Sequence, residues 1–460
     1  IRDAIYRGRE DFVYRISVSE QPFITKMFPL GGCAGSPAIV TISGWNLPGE
    51  RVTLDTRAGR GHIRETAWRK GSLLANRLPY AVDTLPECAE AETNDTTQTA
   101  QNIALPVILN GRIGHAGDID VFAFHARTGE RVVAEVRARR LFSPLDSLVR
   151  LTDASGRVLA WNDDFEDKGM GLDTHHADSY ISTNLPATGM YFIHVADSQH
   201  HGGDAYAYRL RISPPRPGFE LRMAPSSINA AAGRAVPISV FAMRKDGFDG
   251  GIDIVLTNAP DGFTLSGARI PPGRDSVRMT LMAPGGATSG VTRLELEGCA
   301  RIGSETVSAP VVPAEDMMQA FAYRHLVPSE QLLVCVTRGG RPGGPPIEVA
   351  SAMPVRIPVG GAASVQLKAP RAPLPRGLQF ELSDPPKGVA LSNVVTATGA
   401  ASFMLLVETN TVPAGYADNL IVEAFYDGDA RRPGARPQRQ RQRTPASILP
   451  AIPIEIIRRQ

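Results

Sequence analysis

The sequence has no long hydrophobic run, little cysteine and no excess of charge of either sign. No apolar stretch approaches the roughly 18 to 20 residues of a membrane-spanning helix, so we expect no membrane span in this chain. Lys and Arg together number 49 and Asp and Glu number 47, a balance that gives no basis for a nucleic-acid partner. The HExxH, GxSxG and glycine-rich phosphate-loop motifs are all missing, which together favours a chain that is not an enzyme.

The cysteines are too few for a disulfide scaffold, and none forms a CxxC pair or a zinc-ligand spacing. They are Cys33, Cys88, Cys299 and Cys335. Cys33 and Cys88 flank the first predicted domain, and in an oxidising compartment a bridge between them would close its long loop. We therefore expect these two residues to approach each other, with Cα atoms within about 7 Å. Whether Cys299 pairs with Cys335 stays open.

Short runs of alternating polar and apolar residues, bounded by Gly, Pro, Asn and Asp, recur along the chain and favour β-strands. Val132 and Val136 fall on one face of such a strand. Glu135 and Arg137 fall on the other face, as in a strand that is half buried and meets solvent on its polar side. Asp153-Ala154-Ser155-Gly156 places turn residues between two such runs and predicts a hairpin.

At 460 residues the chain is too long for one ordinary core, and proline-rich breaks divide it. Residues 213–217 and 341–346 are the clearest breaks, because proline neither continues a helix nor donates in a sheet ladder. The chain is therefore predicted to be an all-β, tandem array of β-sandwich domains over 21–86, 87–213, 217–340 and 346–460. A basic loop is expected at 431–443, and 314–325 is the one segment that suggests a short helix, with an extended crossover as the alternative.

The first predicted domain contains two short motifs, Phe28-Pro29-Leu30-Gly31-Gly32 and Val40-Thr41-Ile42-Ser43-Gly44-Trp45-Asn46-Leu47. Over 21–86 the chain resembles the IPT/TIG immunoglobulin-like module, which implies a small sandwich used for spacing and contact. The two domains after Pro217 carry no family signature beyond an immunoglobulin-like (Ig-like) pattern.

The second predicted domain carries a longer series of ordered motifs. They are Glu92-Thr93-Asn94-Asp95, Asn110-Gly111-Arg112-Ile113, Gly117-Asp118-Ile119-Asp120-Val121-Phe122, Ser143-Pro144-Leu145-Asp146-Ser147, Asn162-Asp163-Asp164, Asp178-Ser179-Tyr180-Ile181 and Gly189-Met190-Tyr191. In this order they resemble the bacterial pre-peptidase C-terminal (PPC) domain. The resemblance implies a jelly-roll-like sandwich in a secreted or surface protein, often beside a peptidase.

The beginning of the chain resembles the end of the same domain type. Asp11 to Ile16 is similar to the last strand of a PPC domain, so residues 1–20 are expected to end a truncated preceding unit. The order of the modules resembles that of large planctomycete-like multidomain surface proteins.

Acidic and amide residues at the start of the second domain predict a calcium site. In an extended segment Glu90, Glu92 and Asn94 project to one side and present oxygen ligands together. Calcium takes about six to eight oxygens, which carboxylates and carbonyls supply without nitrogen or sulfur. The predicted ligands are Glu90, Glu92, Asn94, Asp95, Asp118 and Asp120.

The Glu-x-Glu-x-Asn-Asp pattern also resembles the linker of collagen-binding domains in bacterial collagenases, where a later Gly-Asp loop completes the site. Here that loop is Gly117-Asp118-Ile119-Asp120. The close spacing of its two acids leaves open whether Asp118 or Asp120 is the ligand.

A second acidic run is another candidate for calcium. Five of the six side chains in Asn162-Asp163-Asp164-Phe165-Glu166-Asp167 carry oxygen and repel one another unless they are solvated or bound to a cation. Asp173 and Asp178 follow it in the sequence and are candidates to join such a site.

Histidines are concentrated in the same domain. Seven of the nine lie between His115 and His201, and with neighbouring aspartates they sketch a transition-metal site. Polar loop residues that cap turns are the simpler interpretation. Ser179, His176 and Asp178 are rejected as a catalytic triad, because sequence neighbours seldom meet in triad geometry and no oxyanion-hole motif accompanies them.

These features predict a non-catalytic, calcium-stabilised spacer or binding module of an exported bacterial protein. We expect an extracytoplasmic location and a protein or polysaccharide surface as the partner. The alternative is the C-terminal accessory region of a secreted peptidase or other hydrolase whose catalytic domain lies outside this chain. Both functions require the same folded domains within this chain, so its sequence does not distinguish between them.

Overall fold

A computed structural model describes residues 14, 16–57, 62–166, 175–286, 289–318, 324–337, 347–369, 378–428 and 442–459. In this part of the chain the regular structure is β-strand apart from one 3₁₀ turn, Arg139–Leu141, so the all-β prediction is confirmed. No helix in the described ranges is long and apolar enough to cross a membrane. Most of the strand expected at Asp11 to Ile16 and most of the basic loop at 431–443 lie outside the described residues; Tyr14 and Ile16, which are described, lie in no strand.

The chain divides into two compact units, one of residues 1–165 with 177–214 and one of residues 166–176 with 215–460. The first unit holds two sandwiches and the second unit holds two more. The predicted domain boundaries themselves stay predictions.

The first sandwich packs a sheet of order β1-β3-β4 against a sheet of order β2-β6-β5. Alternate residues of its strands, among them Ile24, Val40, Ile42 and Tyr80, are buried between the sheets. Its strands are β1 Phe23–Phe28, β2 Gly31–Cys33, β3 Ala38–Trp45, β4 Arg51–Leu54, β5 Ile63–Lys70 and β6 Leu73–Asp83.

The second sandwich pairs two five-stranded sheets, β13-β12-β17-β10-β8 and β16-β11-β18-β9-β7. Phe122, Phe124, Tyr208 and Leu210 lie in its core. Its strands are β7 Glu87–Ala89, β8 Gln101–Asn102, β9 Val107–Arg112, β10 Ile119–Ala126, β11 Arg131–Arg137, β12 Ser147–Asp153, β13 Val158–Asn162, β16 Tyr180–Asn184, β17 Gly189–Asp197 and β18 Ala207–Ser213. Between β13 and β16 in the sequence, β14 Phe165–Glu166 and β15 His175–His176 form a separate two-stranded sheet.

The hairpin predicted in this sandwich is confirmed between β12 and β13. Asp153 Oδ1 accepts hydrogen bonds from the backbone N–H groups of Ser155 and Arg157, at 2.9 and 3.1 Å. Gly156 has a φ of 85°, which a residue with a Cβ atom adopts only with strain. The turn residues therefore do locally what the sequence pattern predicts.

The polar face of β11 differs from the prediction, because Glu135 and Arg137 are both buried. The Glu135 carboxylate accepts hydrogen bonds from Arg137, Arg140 and Arg211, at 3.4, 3.2 and 3.0 Å. Alternation identified the two faces of the strand correctly. It could not show that arginines from neighbouring segments would pair with the carboxylate and allow its burial.

The third sandwich has a large sheet of order β23-β25-β21-β19-β28-β27-β22-β24, which β29 joins through β28, and a second sheet of order β20-β30-β26. Met223, Val240, Met279 and Val334 are fully buried between them. Its strands are β19 Gly218–Ala224, β20 Ser227–Ala231, β21 Ala235–Lys245, β22 Ile252–Leu256, β23 Thr264–Ser266, β24 Arg269–Ile270, β25 Ser276–Met282, β26 Gly290–Leu294, β27 Leu296–Ile302, β28 Glu305–Met318, β29 Arg324–Pro328 and β30 Leu332–Thr337.

Of the two alternatives for 314–325, the described residues form extended strands and not a short helix. Residues 314–318 end β28 and residues 324–325 begin β29, and the two strands pair antiparallel from Ala314↔Pro328 to Met318↔Arg324. Pairing along a long strand satisfies the backbone here, so tertiary context overrides a weak helical preference.

The fourth sandwich packs a sheet of order β31-β33-β36-β35 against a sheet of order β32-β39-β37-β34, which β38 joins through β37. Ile357, Val365, Leu405 and Ile456 are fully buried between them. Its strands are β31 Glu348–Val349, β32 Val355–Pro358, β33 Ala362–Lys368, β34 Leu378–Ser383, β35 Val389–Ala397, β36 Ala400–Val407, β37 Ala417–Gly428, β38 Gln442–Ile448 and β39 Ile452–Ile457.

The predicted bridge between Cys33 and Cys88 is wrong, because all four cysteines are free thiols. Cys33 lies on β2 opposite Asp83 of the first sandwich, whereas Cys88 lies on β7 opposite Leu109 of the second. Between Asp83 and Cys88 the chain passes from one sandwich to the next, so the two thiols belong to different sheets.

Candidate metal centre

The chain enters the second sandwich as strand β7, which pairs with β9. This pairing positions the first two predicted ligands, Glu90 and Glu92. β7 pairs parallel with β9, and the Glu90 N–H continues the ladder by donating to the Asn110 carbonyl at 3.0 Å. The Glu90 side chain then turns towards the end of β9, where its Oε2 accepts the Arg112 backbone N–H at 2.7 Å. Glu92 follows two residues later, as the alternation of an extended segment requires.

The predicted Gly-Asp loop delivers the second pair of acids. Gly117 has a φ of 79°, and this turn leads the chain into β10 at Ile119. Asp118 lies at the turn, where its Oδ2 accepts the Gly114 N–H at 2.6 Å. Asp120 lies on β10 and points into the end of the core, where its Oδ2 accepts the Tyr208 hydroxyl at 2.6 Å.

Three of the predicted ligands converge. Carboxylate oxygens of Glu90, Glu92 and Asp120 all lie within 4.8 Å of one another. Two further oxygens at the site, Glu90 Oε1 and Asp118 Oδ1, are buried and have no hydrogen-bond partner. Buried acceptors without a donor are unfavourable, which marks the cluster as a place where a positive group is missing.

Asn94 is fully buried against the same cluster. Its amide lies 3.3 Å from Asp120 Oδ1 and 3.1 Å from Glu92 Oε2, and in the orientation that satisfies both oxygens the amide nitrogen donates to them. Rotation of the Asn94 side-chain amide by 180° exchanges its nitrogen and oxygen, so that the carbonyl oxygen faces the cluster instead. Asn94 can therefore bridge the two carboxylates by itself or serve as a neutral ligand beside them.

The electrostatics of the cluster reflect this crowding of like charge. Burial, followed by the neighbouring Glu90 carboxyl, raises the pKa of Asp120 to about 10. Burial, followed by Glu90, Asp118 and Asp95, also raises the pKa of Glu92. No Lys or Arg side chain in the described ranges forms an ion pair with Glu90, Glu92, Asp118 or Asp120, although His115 Nε2 lies 3.9 Å from Asp118 Oδ1. A proton or a metal cation at the cluster would therefore relieve repulsion between its carboxylates.

Three residues that sequence reasoning did not assign to the site shape it. Tyr208 anchors Asp120 from 88 residues away. Arg112 anchors Glu90 through its backbone N–H. Gly111 leaves room for both, because a Cβ atom there would lie 2.4 Å from the Tyr208 hydroxyl oxygen and 2.8 Å from Glu90 Oε2. The Asn110-Gly111-Arg112 motif was visible in the sequence, but its contact with the acids depends on the β9–β18 pairing.

Not every predicted ligand joins the cluster. Asp95 is exposed, and its carboxylate lies outside the set of Glu90, Glu92 and Asp120. Its assignment as a ligand stays a prediction. Asp118 and Asp120 are both buried, and Asp120 lies in the cluster with Glu90 and Glu92. Which of the two is a ligand stays a prediction.

The residues proposed for a second calcium site have other partners where they are described. Asn162 Oδ1 accepts the Tyr180 N–H at 2.9 Å. Asp178 is fully buried and accepts the backbone N–H groups of residues 138, 139 and 140, together with the Arg140 guanidinium. Asp167, Asp173 and the side chains of Glu166, His175 and His176 lie outside the described residues.

The histidines do not assemble with the acids into a metal site among the described residues, where the one group of three ligands is Glu90, Glu92 and Asp120. Ser179 is fully buried, and its hydroxyl donates to the Ser147 carbonyl at 2.5 Å. A hydroxyl held in this way cannot reach a substrate, which agrees with rejecting the triad.

The donor set fits a hard divalent cation. Glu90, Glu92, Asp118, Asp120 and Asn94 offer oxygen atoms alone, whereas zinc and copper sites are built mainly from nitrogen or sulfur. Four carboxylates and an amide approach the about six to eight oxygens that calcium takes, with water to complete the shell.

Comparison with known proteins gives one match to a curated protein. A probable subtilase-type serine protease of Deinococcus radiodurans is 37% identical over 108 residues, which is 23% of this chain and 14% of that protein. The chain therefore spans a small fraction of the length of this relative. No protein-family profile matches the chain.

Solved structures similar to the chain include the PPC type that the sequence suggested and an S-layer protein that it did not suggest. The PPC domain of a collagenase from Bacillus anthracis is 16% identical, with a TM-score of 0.19, over 25% of this chain and 94% of that one. Domains 5 and 6 of the S-layer protein SbsC are 14% identical, with a TM-score of 0.21, over 53% of this chain and 100% of that one. A PPC domain is thus among the solved structures similar to this chain.

Proposed function

We propose that this chain is a non-catalytic, calcium-stabilised spacer or binding module of an exported bacterial protein. The observation that carries the proposal is the convergence of Glu90, Glu92 and Asp120, with buried oxygens that lack a donor. In a chain of consecutive β-sandwiches, a cation at the entry to one sandwich stabilises the fold where the polypeptide passes between domains. The partner, a protein or polysaccharide surface, and the extracytoplasmic location belong to the same proposal.

A cation explains the cluster better than a proton does. One proton shared between Glu90 and Asp120 neutralises one charge, but it leaves the negative charges of Glu92 and Asp118 close to each other, with the Asn94 amide on Glu92 and His115 Nε2 at 3.9 Å from Asp118 Oδ1. A divalent cation contacts all of these oxygens at once. Burial and the Glu90 carboxyl raise the pKa of Asp120, so we expect calcium uptake to release the proton that the Glu90 and Asp120 pair shares.

The accessory region of a secreted peptidase is the second candidate, and the D. radiodurans match favours it. That protein is named a subtilase-type protease, and the region of similarity covers 14% of its length. On this proposal the present chain would serve a catalytic domain elsewhere in a longer protein. The cation site has the same stabilising role in both candidates.

Isothermal calorimetry of the whole chain with CaCl₂, MgCl₂ and ZnCl₂ tests the cation site. We expect calcium to bind more tightly than the other two, and Asp120→Asn to abolish binding. Asp261→Asn, at an exposed turn of the third sandwich, is the matched control and should bind calcium as the wild type does. Repeating the titration in buffers of different ionisation enthalpy should reveal proton release. Absence of calcium binding by the wild-type chain would refute the proposal.

A further inference from the structure

The first and second sandwiches meet at a joint that lies next to the candidate metal centre. Leu30 and Ala81 of the first sandwich form a buried cluster with Leu141 and Ala207 of the second. Lys26 Nζ lies 3.1 Å from Asp204 Oδ2 across the same joint. Both sandwiches belong to one compact unit, so these contacts hold them together directly.

Arg112 belongs to the joint and to the metal centre at once. Its guanidinium carbon lies 3.6 Å from the centre of the Phe28 ring, a cation–π contact that reaches into the first sandwich. Its Nε is buried without a hydrogen-bond partner, so the ring is a principal neighbour of this group. Its backbone N–H donates to Glu90 Oε2 at 2.7 Å.

Glu90 connects the joint between the sandwiches with the candidate metal centre. Its Oε2 accepts the Arg112 backbone N–H, its Oε1 is buried, and its carboxylate lies beside those of Glu92 and Asp120. A cation bound to the second oxygen would fix the carboxylate against Asp120 and so fix the end of β9. The last strand of the first sandwich ends at Asp83, so the segment that carries Glu90 is also the covalent connection between the first and second sandwiches.

We propose that cation binding at Glu90, Glu92 and Asp120 locks the joint between the first and second sandwiches, with Arg112 as the positioning residue that connects site and joint. This inference rests on the proposed cation site and goes beyond it, because it assigns the site control of a domain contact. Coupling between two sites is reciprocal: if the cation favours the docked joint, the docked joint must favour the cation by the same factor.

Because the coupling is reciprocal, a substitution in the joint, away from the predicted ligands, should change calcium affinity and so tests the proposal. In the whole chain, Phe28→Leu removes the ring under Arg112 but touches none of the predicted ligands. We expect it to weaken the calcium association constant about fivefold, at the low end of couplings between sites. Phe23→Leu removes an exposed ring from the other end of β1 and should leave the constant unchanged. Phe28→Tyr keeps a ring under the guanidinium and should restore tight binding.

A second variant approaches the coupling from the other side. Arg112→Gln keeps the backbone N–H that holds Glu90 but removes the charge over the ring, so it should weaken calcium binding as Phe28→Leu does. A residue that merely supports the fold would lower the melting temperature without changing the affinity of the folded protein for calcium. If the wild-type chain binds calcium and both variants bind it within twofold of the wild type, the coupling is refuted while the cation site stands. If the wild-type chain binds no calcium, the cation site itself fails and the inference with it.

Discussion

Substituting Gly111 by alanine tests the close packing around the candidate metal centre. An added Cβ atom would lie 2.4 Å from both the Cζ and the hydroxyl oxygen of Tyr208, and 2.8 Å from Glu90 Oε2. Both neighbours are constrained, because the Tyr208 hydroxyl donates to Asp120 and Glu90 accepts the Arg112 N–H. Neither can move without losing a buried hydrogen bond, so the clash cannot be relieved cheaply.

The magnitude follows from these contacts. Overpacking of a well-packed core by a methyl group destabilises by about 1 to 3 kcal/mol, and loss of a buried hydrogen bond adds about 1 kcal/mol. We therefore expect Gly111→Ala to lower the stability of the second sandwich by about 2 to 4 kcal/mol. For a domain of this size that corresponds to a fall in melting temperature of roughly 6 to 16 °C.

Gly189→Ala is the matched control, because a Cβ atom at this position of β17 meets no atom within 4 Å. It should be neutral or slightly stabilising, since alanine restricts the unfolded chain more than glycine does. Differential scanning calorimetry in EDTA resolves the transitions of a multidomain chain and removes any contribution from bound cations. Equal melting curves for the two alanine variants would refute the packing argument.

Three further predictions concern other parts of the fold. Glu135→Ala removes the carboxylate that pairs with the buried Arg211 and should destabilise the second sandwich by about 3 kcal/mol, as measured by urea unfolding. Glu130→Ala, at an exposed position, should have little effect, and similar losses for the two variants would contradict the role of the buried network. Burial, followed by Arg150, lowers the pKa of His194 to about 4, so the free energy of unfolding of the second sandwich should fall as the pH drops from about 6.5 towards 4. His194→Gln should flatten that part of the plot of stability against pH, and an unchanged plot would contradict this assignment. The Asn419 side-chain amide donates to the Gly267 and Arg278 carbonyls, and Asn419→Ala removes this donor. In calorimetry the variant should separate the melting transitions of the third and fourth sandwiches. A single unchanged transition would contradict a role for this contact.

Local features of the fold were predictable from the sequence because they depend on neighbouring residues. The alternation around Val132 and Val136 identifies β11, and Asp153 with Gly156 identifies the hairpin that follows β12. The burial of Glu135 was not predictable. It depends on Arg211, which reaches it through strand pairing 76 residues along the chain.

The candidate site shows the same division. The extended segment with Glu90 and Glu92 and the loop with Asp120 were both identified as sources of ligands, and the structure brings their carboxylates together. The part played by Tyr208 could not be seen, because a tyrosine on a core strand looks like any other buried aromatic residue. Its hydroxyl becomes informative when the fold places it 2.6 Å from Asp120 Oδ2.

The most direct test of the cation site compares thermal unfolding of the whole chain in EDTA and in excess calcium. A cation that binds the folded state alone stabilises it by RT ln(1 + [Ca]/Kd), which is about 2.7 kcal/mol at a hundredfold excess over Kd. Asp120→Asn keeps an oxygen for the Tyr208 hydroxyl and removes one of the crowded carboxylates, so it should melt much like the wild type in EDTA. We predict that calcium raises the melting temperature of the second sandwich in the wild type and leaves that of Asp120→Asn unchanged. Identical wild-type melting curves in EDTA and calcium would contradict the account.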